Sequence, residues 1–282
     1  MPTFHTNTAK IVLSLATIAL AASACSSSDD GEAPPPPTLG SVNVTSHEYF
    51  TDVFGYSVVG WFDESRTEAP ECTSRREGDC TITTCTPPAG DAGVSQLESA
   101  GTLTLSGGLL PAAGINLEPG EDKSYFYSGG SKIWEPGQRI TIKNTAAQIP
   151  TFELSVAAPS NLTLEAPAVP PRNETMIIPR DKPLELRWSV VPEKKSVSLF
   201  SGIEASLGTP AIYATCGSGP SSTTATFPAS VLGSFPKGDA LFAVSSENDA
   251  TTIVAGKTVA VHAVAYAKGT SGTSVSRNVT LE

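Results

Sequence analysis

Along most of this chain, apolar and polar residues alternate with a period of two, the mark of strands that cover one face. In QRITIKN, Ile140 and Ile142 point one way while Arg139, Thr141 and Lys143 point the other. LELRWSV sets Leu184, Leu186, Trp188 and Val190 against Glu185, Arg187 and Ser189. GTLTLSGG places Leu103 and Leu105 on one face before glycines turn the chain. SVNVTS, YSVVGWF, CTITTC, SYFYS, FELSV, NLTLEA, TMII, SVSLF, AIYATC, TATF and ALFAV also read as strands, with turns such as EPGED, EPGQ and KGTSG between them. Many short strands need facing sheets to cover their apolar sides, so the pattern predicts β-sandwiches.

Two stretches depart from simple alternation. TVAVHAVAYA has Val259, Val261, Ala263 and Ala265 on one face and His262, Val264 and Tyr266 on the other, which predicts an interior strand. In SVSRNVTL, Arg277 shares a face with Val275, Val279 and Leu281, and a frayed start or bulge near Ser276 is the expected remedy. Proline ends FELSV and a new alternation starts at Leu162, which predicts sandwich domains over 41–158 and 159–282. The second stretch resembles a fibronectin type III or immunoglobulin-like sandwich. Pro159 leads its first strand, Trp188 sits on its second, and VHAVAYAKGTSGTSVS resembles the last two strands and their turn. Val259 stands where a tyrosine corner would need its tyrosine. The expected fold is therefore all-β, with two immunoglobulin-like sandwich domains. Such folds host many functions and decide none.

The N-terminus reads differently. Residues 1–10 carry Lys10 and no acid, and Ile11 to Ala24 carry no charge. Fourteen residues at ~1.5 Å rise fall short of a ~30 Å hydrocarbon layer, so the run reads as a secretory leader over 1–24. Ala22-Ser23-Ala24-Cys25 resembles the bacterial lipobox, although Ala22 stands where that motif prefers leucine. The resemblance implies a diacylglyceryl thioether on Cys25 and a third acyl chain on its amine. Several buried chains, at about 0.8 kcal/mol per methylene, make a near-permanent membrane anchor. Ser26 in place of aspartate implies, by the sorting rule of such lipoproteins, export to the outer membrane. Residues 25–40 are acidic and then proline-rich, with Pro34 to Pro37 expected to extend at ~3.1 Å per residue as a stalk.

Charge narrows the partners. The 282 residues carry a net charge of −10, and loss of the leader, with its single lysine, takes this to −11. Such a balance argues against nucleic acid, whose phosphates need Lys and Arg clusters, and against electrostatic membrane binding.

With Cys25 acylated, Cys72, Cys80, Cys85 and Cys216 remain, an even number in an exported chain and the pattern of two disulfides. Cys80 and Cys85 lie ~16 Å apart along one extended strand and face opposite sides, so they take different partners. Gly78-Asp79 is turn chemistry that folds CTSRREGDC into a hairpin, which favours Cys72–Cys80 with Cys85–Cys216. Cys72–Cys85 with Cys80–Cys216 is the alternative. A cysteine zinc site lacks a CxxC pair and a nearby histidine. Over its whole length the chain also resembles lipoproteins of soil-dwelling gliding bacteria. The lipobox, the Cys72/Cys80/Cys85 cluster and KIWEPGQRITIKNTAAQIPTFELSVAAP carry that likeness, which implies no activity.

Catalytic motifs are sparse. Beyond the leader the histidines are His47 and His262, with no HExxH, HxH or GxSxG. Ser234-Phe235-Pro236-Lys237 matches SxxK formally, but Pro236 breaks the helical turn that pairing needs. EPGED and SENDA offer oxygen ligands without an EF-hand spacing. No cofactor or metal is implied. In SYFYSGGSKIW, Tyr125 and Tyr127 share a face opposite Phe126, with Trp134 beyond a glycine turn. Exposed, Tyr125, Tyr127 and Trp134 would stack on sugar rings. The plainer reading puts Phe126 and Trp134 in the core. The expectation is a non-catalytic, lipid-anchored envelope protein of structural, adhesive or assembly role. A glycan-binding module is the first alternative, and a motif-free enzyme using His47 or His262 beside an acid is the second.

Overall fold

The alternation becomes strands in the computed structural model, which describes residues 38–50, 53–63, 71–86, 97–171, 174–189, 195–201, 211–216, 222–272 and 275–282. The expected leader, Cys25 and the expected stalk up to residue 37 lie outside the described residues. The first half supplies β1 (Thr38–Phe50), β2 (Val53–Phe62), β3 (Glu71–Glu77), β4 (Cys80–Thr86), β5 (Leu103–Gly107), β6 (Ile115–Leu117), β7 (Tyr125–Gly129), β8 (Arg139–Asn144) and β9 (Glu153–Ala157). The second supplies β10 (Thr163–Ala166), β11 (Met176–Ile178), β12 (Leu184–Ser189), β13 (Lys195–Ser201), β14 (Ala211–Cys216) and β15 (Thr224–Phe227). A short helix, α1 (Ala229–Gly233), precedes β16 (Gly238–Val254), β17 (Lys257–Tyr266), β18 (Lys268–Gly269) and β19 (Ser276–Leu281).

The long strand β16 organises everything else. Its first part pairs with β13 on one edge and β19 on the other, and its second part pairs with β17. One continuous sheet therefore runs β3-β4-β14-β13-β16-β17-β1-β2-β7, with β19 and β11 beside the start of β16. Two four-stranded sheets, β6-β5-β8-β9 and β15-β12-β10-β18, complete the strands. Their inward residues close two hydrophobic cores. Leu103, Leu105, Ile140 and Ile142 meet Val42, Val44, Val259 and Val261 in the first. Leu164, Leu186, Trp188 and Phe227 meet Phe242, Val244, Val279 and Leu281 in the second. Each of the wholly buried Trp134, Trp188, Phe62, Phe227 and Phe235 contributes about 1.5–3 kcal/mol by burial.

The all-β, sandwich-like architecture agrees with the alternation, and both cores draw residues from either side of the expected boundary between 41–158 and 159–282. Between Leu39 and Ala158 most core residues belong to the first core, and from Leu162 to Val244 most belong to the second. The chain then trades strands across that point. Cys80 and Ile82 of the β3–β4 hairpin belong to the second core. Val254 of β16 and Val259, Val261, Ala263 and Ala265 of β17 belong to the first. The cause is that β17 pairs in parallel with β1, Thr38 against Thr258 through His47 against Tyr266. An interior strand buried on both faces serves a parallel neighbour well.

Two polar anchors fix the loops over the first core. The Tyr125 hydroxyl accepts from the Ala100 N–H at 2.8 Å and donates to the Gly101 carbonyl at 2.8 Å. Buried Asn144 donates through Nδ2 to the carbonyls of Ala100 (3.0 Å) and Pro150 (3.1 Å), and its Oδ1 accepts from Phe152 N–H at 2.6 Å. At Gly107, φ is +92° and an added Cβ would lie 2.2 Å from the Arg139 carbonyl oxygen, so only glycine closes the β5–β8 pairing there.

Arg277 needs no bulge. It stays in register opposite Phe242, on the predicted inward face. Its guanidinium reaches the sheet margin and donates to the carbonyls of Pro170 (2.6 Å), Pro171 (3.3 Å) and Glu174. Burial pulls its pKa down, opposed by the charge of Glu174.

Candidate functional site

The cysteines form the most defined chemical group. Gly78 and Asp79 make a two-residue hairpin turn, so Glu77 faces Cys80 and the register carries Cys72 to Cys85. The bridges are Cys72–Cys85 and Cys80–Cys216, with Cα separations of 4.0 and 3.9 Å. The favoured Cys72–Cys80 and Cys85–Cys216 pairing is thus corrected to its alternative. The hairpin was anticipated, but it places Cys72 and Cys80 at its opposite ends. Cys80 lies opposite Cys216 because β14 runs antiparallel along the free edge of β4. The middle strand β4 is consequently bridged to both neighbours, Cys80 facing the second core and Cys85 facing Tyr213 and Leu241.

The hairpin also docks on α1. Arg75 pairs with Glu77 at 2.8 Å and donates to Ser234 Oγ at 2.5 Å, while Glu77 accepts from Ser230. The Ser230 hydroxyl, then Arg75, hold the Glu77 carboxyl below the usual carboxylate range. Ser234 caps the end of α1 and is engaged with Arg75, so the SxxK reading has no paired lysine on a helical turn.

The aromatic cluster divides between inside and outside. Tyr125 is 0 % exposed and Trp134 1 % exposed, both within the first core. Tyr127 is half-buried against Tyr56, with ring centroids 5.8 Å apart. Phe126, expected in the core, is 49 % exposed. Tyr125, Tyr127 and Trp134 therefore do not form a shared exposed platform. The alternation within SYFYS holds, but the opposite face turns inward: Tyr125, opposite Gly60, is buried with its hydroxyl bonded to Ala100 and Gly101. Burial first, then the Tyr127 hydrogen bond, pushes the Tyr56 phenol up to about 12.

The histidines lie on the opposite face of the large sheet from the first core. His262 Nδ1 is 2.7 Å from Asp249 Oδ1 across the β16–β17 ladder. Its Nε2 is buried and makes no hydrogen bond among the described residues. His47 stacks on Tyr266 at 4.8 Å, and Lys268 pairs with Glu48 at 2.5 Å nearby. A histidine–acid pair thus exists, as the enzyme alternative required. A hydrolytic triad also requires a hydroxyl or thiol on the free imidazole nitrogen, and among the described residues none is bonded to Nε2. SENDA is not a loop: Glu247 and Asp249 are strand residues of β16, engaged with Ser245 and His262. In EPGED, Asp122 accepts from the Ser124 N–H and hydroxyl, and Ser124 holds its carboxyl below the usual range. Among the described residues no group of three or more His, Cys, Asp or Glu side chains is placed to hold a metal. The Glu48–Lys268 ion pair and the His47–Tyr266 stack beside it in sequence were not anticipated. They are assembled by the β1–β17 pairing, which has no local signal. Burial, then the charge of Glu247, raises the Tyr266 phenol to about 12.

Among the described residues no helix is long and apolar enough to cross a membrane. No family model matches the chain, and no curated protein sequence does. Among solved structures, it is similar to a tetra-tandem repeat in the extending region of a large adhesion protein, at 11 % identity over 81 % of this chain and 74 % of that one. The TM-score is 0.19.

Proposed function

We propose that this chain is a non-catalytic, lipid-anchored protein of the bacterial envelope, with a structural or adhesive role. The observation that carries the reading is the build of the body. Two cores share one continuous sheet, and two disulfides bridge three neighbouring strands. That construction favours a rigid, oxidising-compartment body over a cleft that opens and closes on substrate. The lipobox-like Ala22-Ser23-Ala24-Cys25 and the proline stalk supply the tether, and Ser26 directs it to the outer membrane. Buried Trp188 at the centre of the second core supports the immunoglobulin-like reading of that sandwich.

The test is detergent-phase partitioning of the exported protein with mass spectrometry of its N-terminal peptide. Acylated Cys25 and retention in the detergent phase are expected, and a Cys25→Ala protein should move to the aqueous phase. An aqueous wild-type protein with an unmodified Cys25 thiol overturns the anchor.

A further inference from the structure

We propose that β1 is a load-bearing strand, so placed that tension along the molecule shears it rather than peels it, and that the Cys80–Cys216 bridge limits how far the chain can then extend. The proposal deepens the anchored reading, since it concerns how the body withstands pull on its tether.

The geometry follows from register alone. Thr38, where the tether enters the body, lies opposite Thr258, and Thr258 lies opposite Ile253 near the end of β16. Leu281, near the other end of the chain, lies opposite Gly238 at the start of β16. Thr38 and Leu281 are therefore separated by nearly the whole of β16, roughly 50 Å at ~3.3 Å per residue. Sideways they differ by little, because β19 and β17 follow one another along the same edge of β16. A pull between the two chain ends runs along the strands.

β1 is held on both edges. It pairs in parallel with β17 from Thr38 to His47 and antiparallel with β2 from Gly40 to Phe50. Its inward Val42 and Val44 are fully buried in the first core. Extraction of β1 along its own axis strains the hydrogen bonds of both ladders together. A pull across the sheet opens one bond pair at a time. Resistance to pull is a matter of the unfolding rate under load, and simultaneous rupture raises that barrier.

The bridge sets the limit. Cys80–Cys216 joins residues 136 apart, so β5 to β13 lie outside the covalent path that carries tension between the ends.

Single-molecule pulling on the mature chain, gripped at chemical handles and without lipid, tests this independently of acylation. A failed anchor would show in detergent partitioning and leave these forces unchanged. Gripped at the N-terminus and Glu282, the protein should yield at a force about twofold or more above that found with handles at Ser74 and Ser128, on the opposite edge strands β3 and β7. Equal or lower axial force overturns the load-bearing role. A Cys80→Ser/Cys216→Ser protein should extend further by on the order of 450 Å at full stretch, at ~3.6 Å per residue. Should that variant not fold, the wild-type protein alone must fall short of the unbridged contour length by a similar amount. Full extension of the bridged protein overturns the limit.

Discussion

Cys80 and Cys216 stand directly opposite one another across β4 and β14, so a residue early in the chain is covalently fixed to one far along it. The bridge fastens the β3–β4 hairpin to β14, a strand from the second half of the chain. Cys72–Cys85 only fastens that hairpin to itself.

The two bridges should therefore differ in what their loss costs. In the chain-entropy description, a loop of 136 residues is worth about 5 kcal/mol and one of 13 about 3 kcal/mol. Urea unfolding of Cys80→Ser/Cys216→Ser against Cys72→Ser/Cys85→Ser should show the first as the weaker protein. The reverse order would mean that the hairpin's own closure matters more than its attachment to the second core.

Tyr125→Phe should destabilise by about 1–3 kcal/mol, because the Ala100 N–H and the Gly101 carbonyl lose a buried partner. Phe126→Ala on the adjacent position should change stability by no more than about 0.5 kcal/mol, as expected for an exposed site. Thermal or urea unfolding of the pair reads the facing of β7 directly. A larger loss at Phe126 would reverse the assignment of inside and outside.

Asn144→Leu should destabilise by about 3 kcal/mol despite adding apolar volume, since it strands the Phe152 N–H and two loop carbonyls. Hydrogen exchange should locate the lost protection at residue 152 and the loop over 145–151. A globally uniform loss would point instead to overpacking of the core.

Stability should fall as pH rises from about 10 to about 12. Tyr56 and Tyr266 both have phenols raised to about 12 in the folded protein, from a reference of 10.0. Their contribution is whole below the unfolded pKa, and it is lost through this window because the unfolded chain ionises first. Urea titrations at stepped pH should show the decline, and Tyr56→Phe/Tyr266→Phe should flatten it. An unchanged slope in the double variant would assign the alkaline loss to other groups.

Local patterns carried much of this structure. The alternation located the strands because each has one covered face, and the doubly apolar TVAVHAVAYA marked β17 as interior. The Gly78-Asp79 turn even held the disulfide register: a two-residue loop fixes Glu77 against Cys80 and so Cys72 against Cys85. Choosing Cys72–Cys80 overlooked that consequence. The facing of Tyr125 and Phe126 was hidden because both are large and apolar, and the partners that hold the Tyr125 hydroxyl, Ala100 and Gly101, stand some two dozen residues earlier. Arg277 was legible as an anomaly, but its remedy depends on carbonyls of a loop some hundred residues earlier. The pairing of β1 with β17 had no local cue at all, since parallel neighbours need no hairpin turn between them. The Glu48–Lys268 pair inherits that invisibility, whereas His262–Asp249 sits across the local β16–β17 hairpin.

The shared strand β16 has a consequence for how the protein is made. The sandwich that contains β1 receives its first strand early in synthesis but cannot close until β17 has left the ribosome. A gene cut at residue 158 would yield two products that each lack strands belonging to their own interior, so neither piece should survive as an independent folding unit.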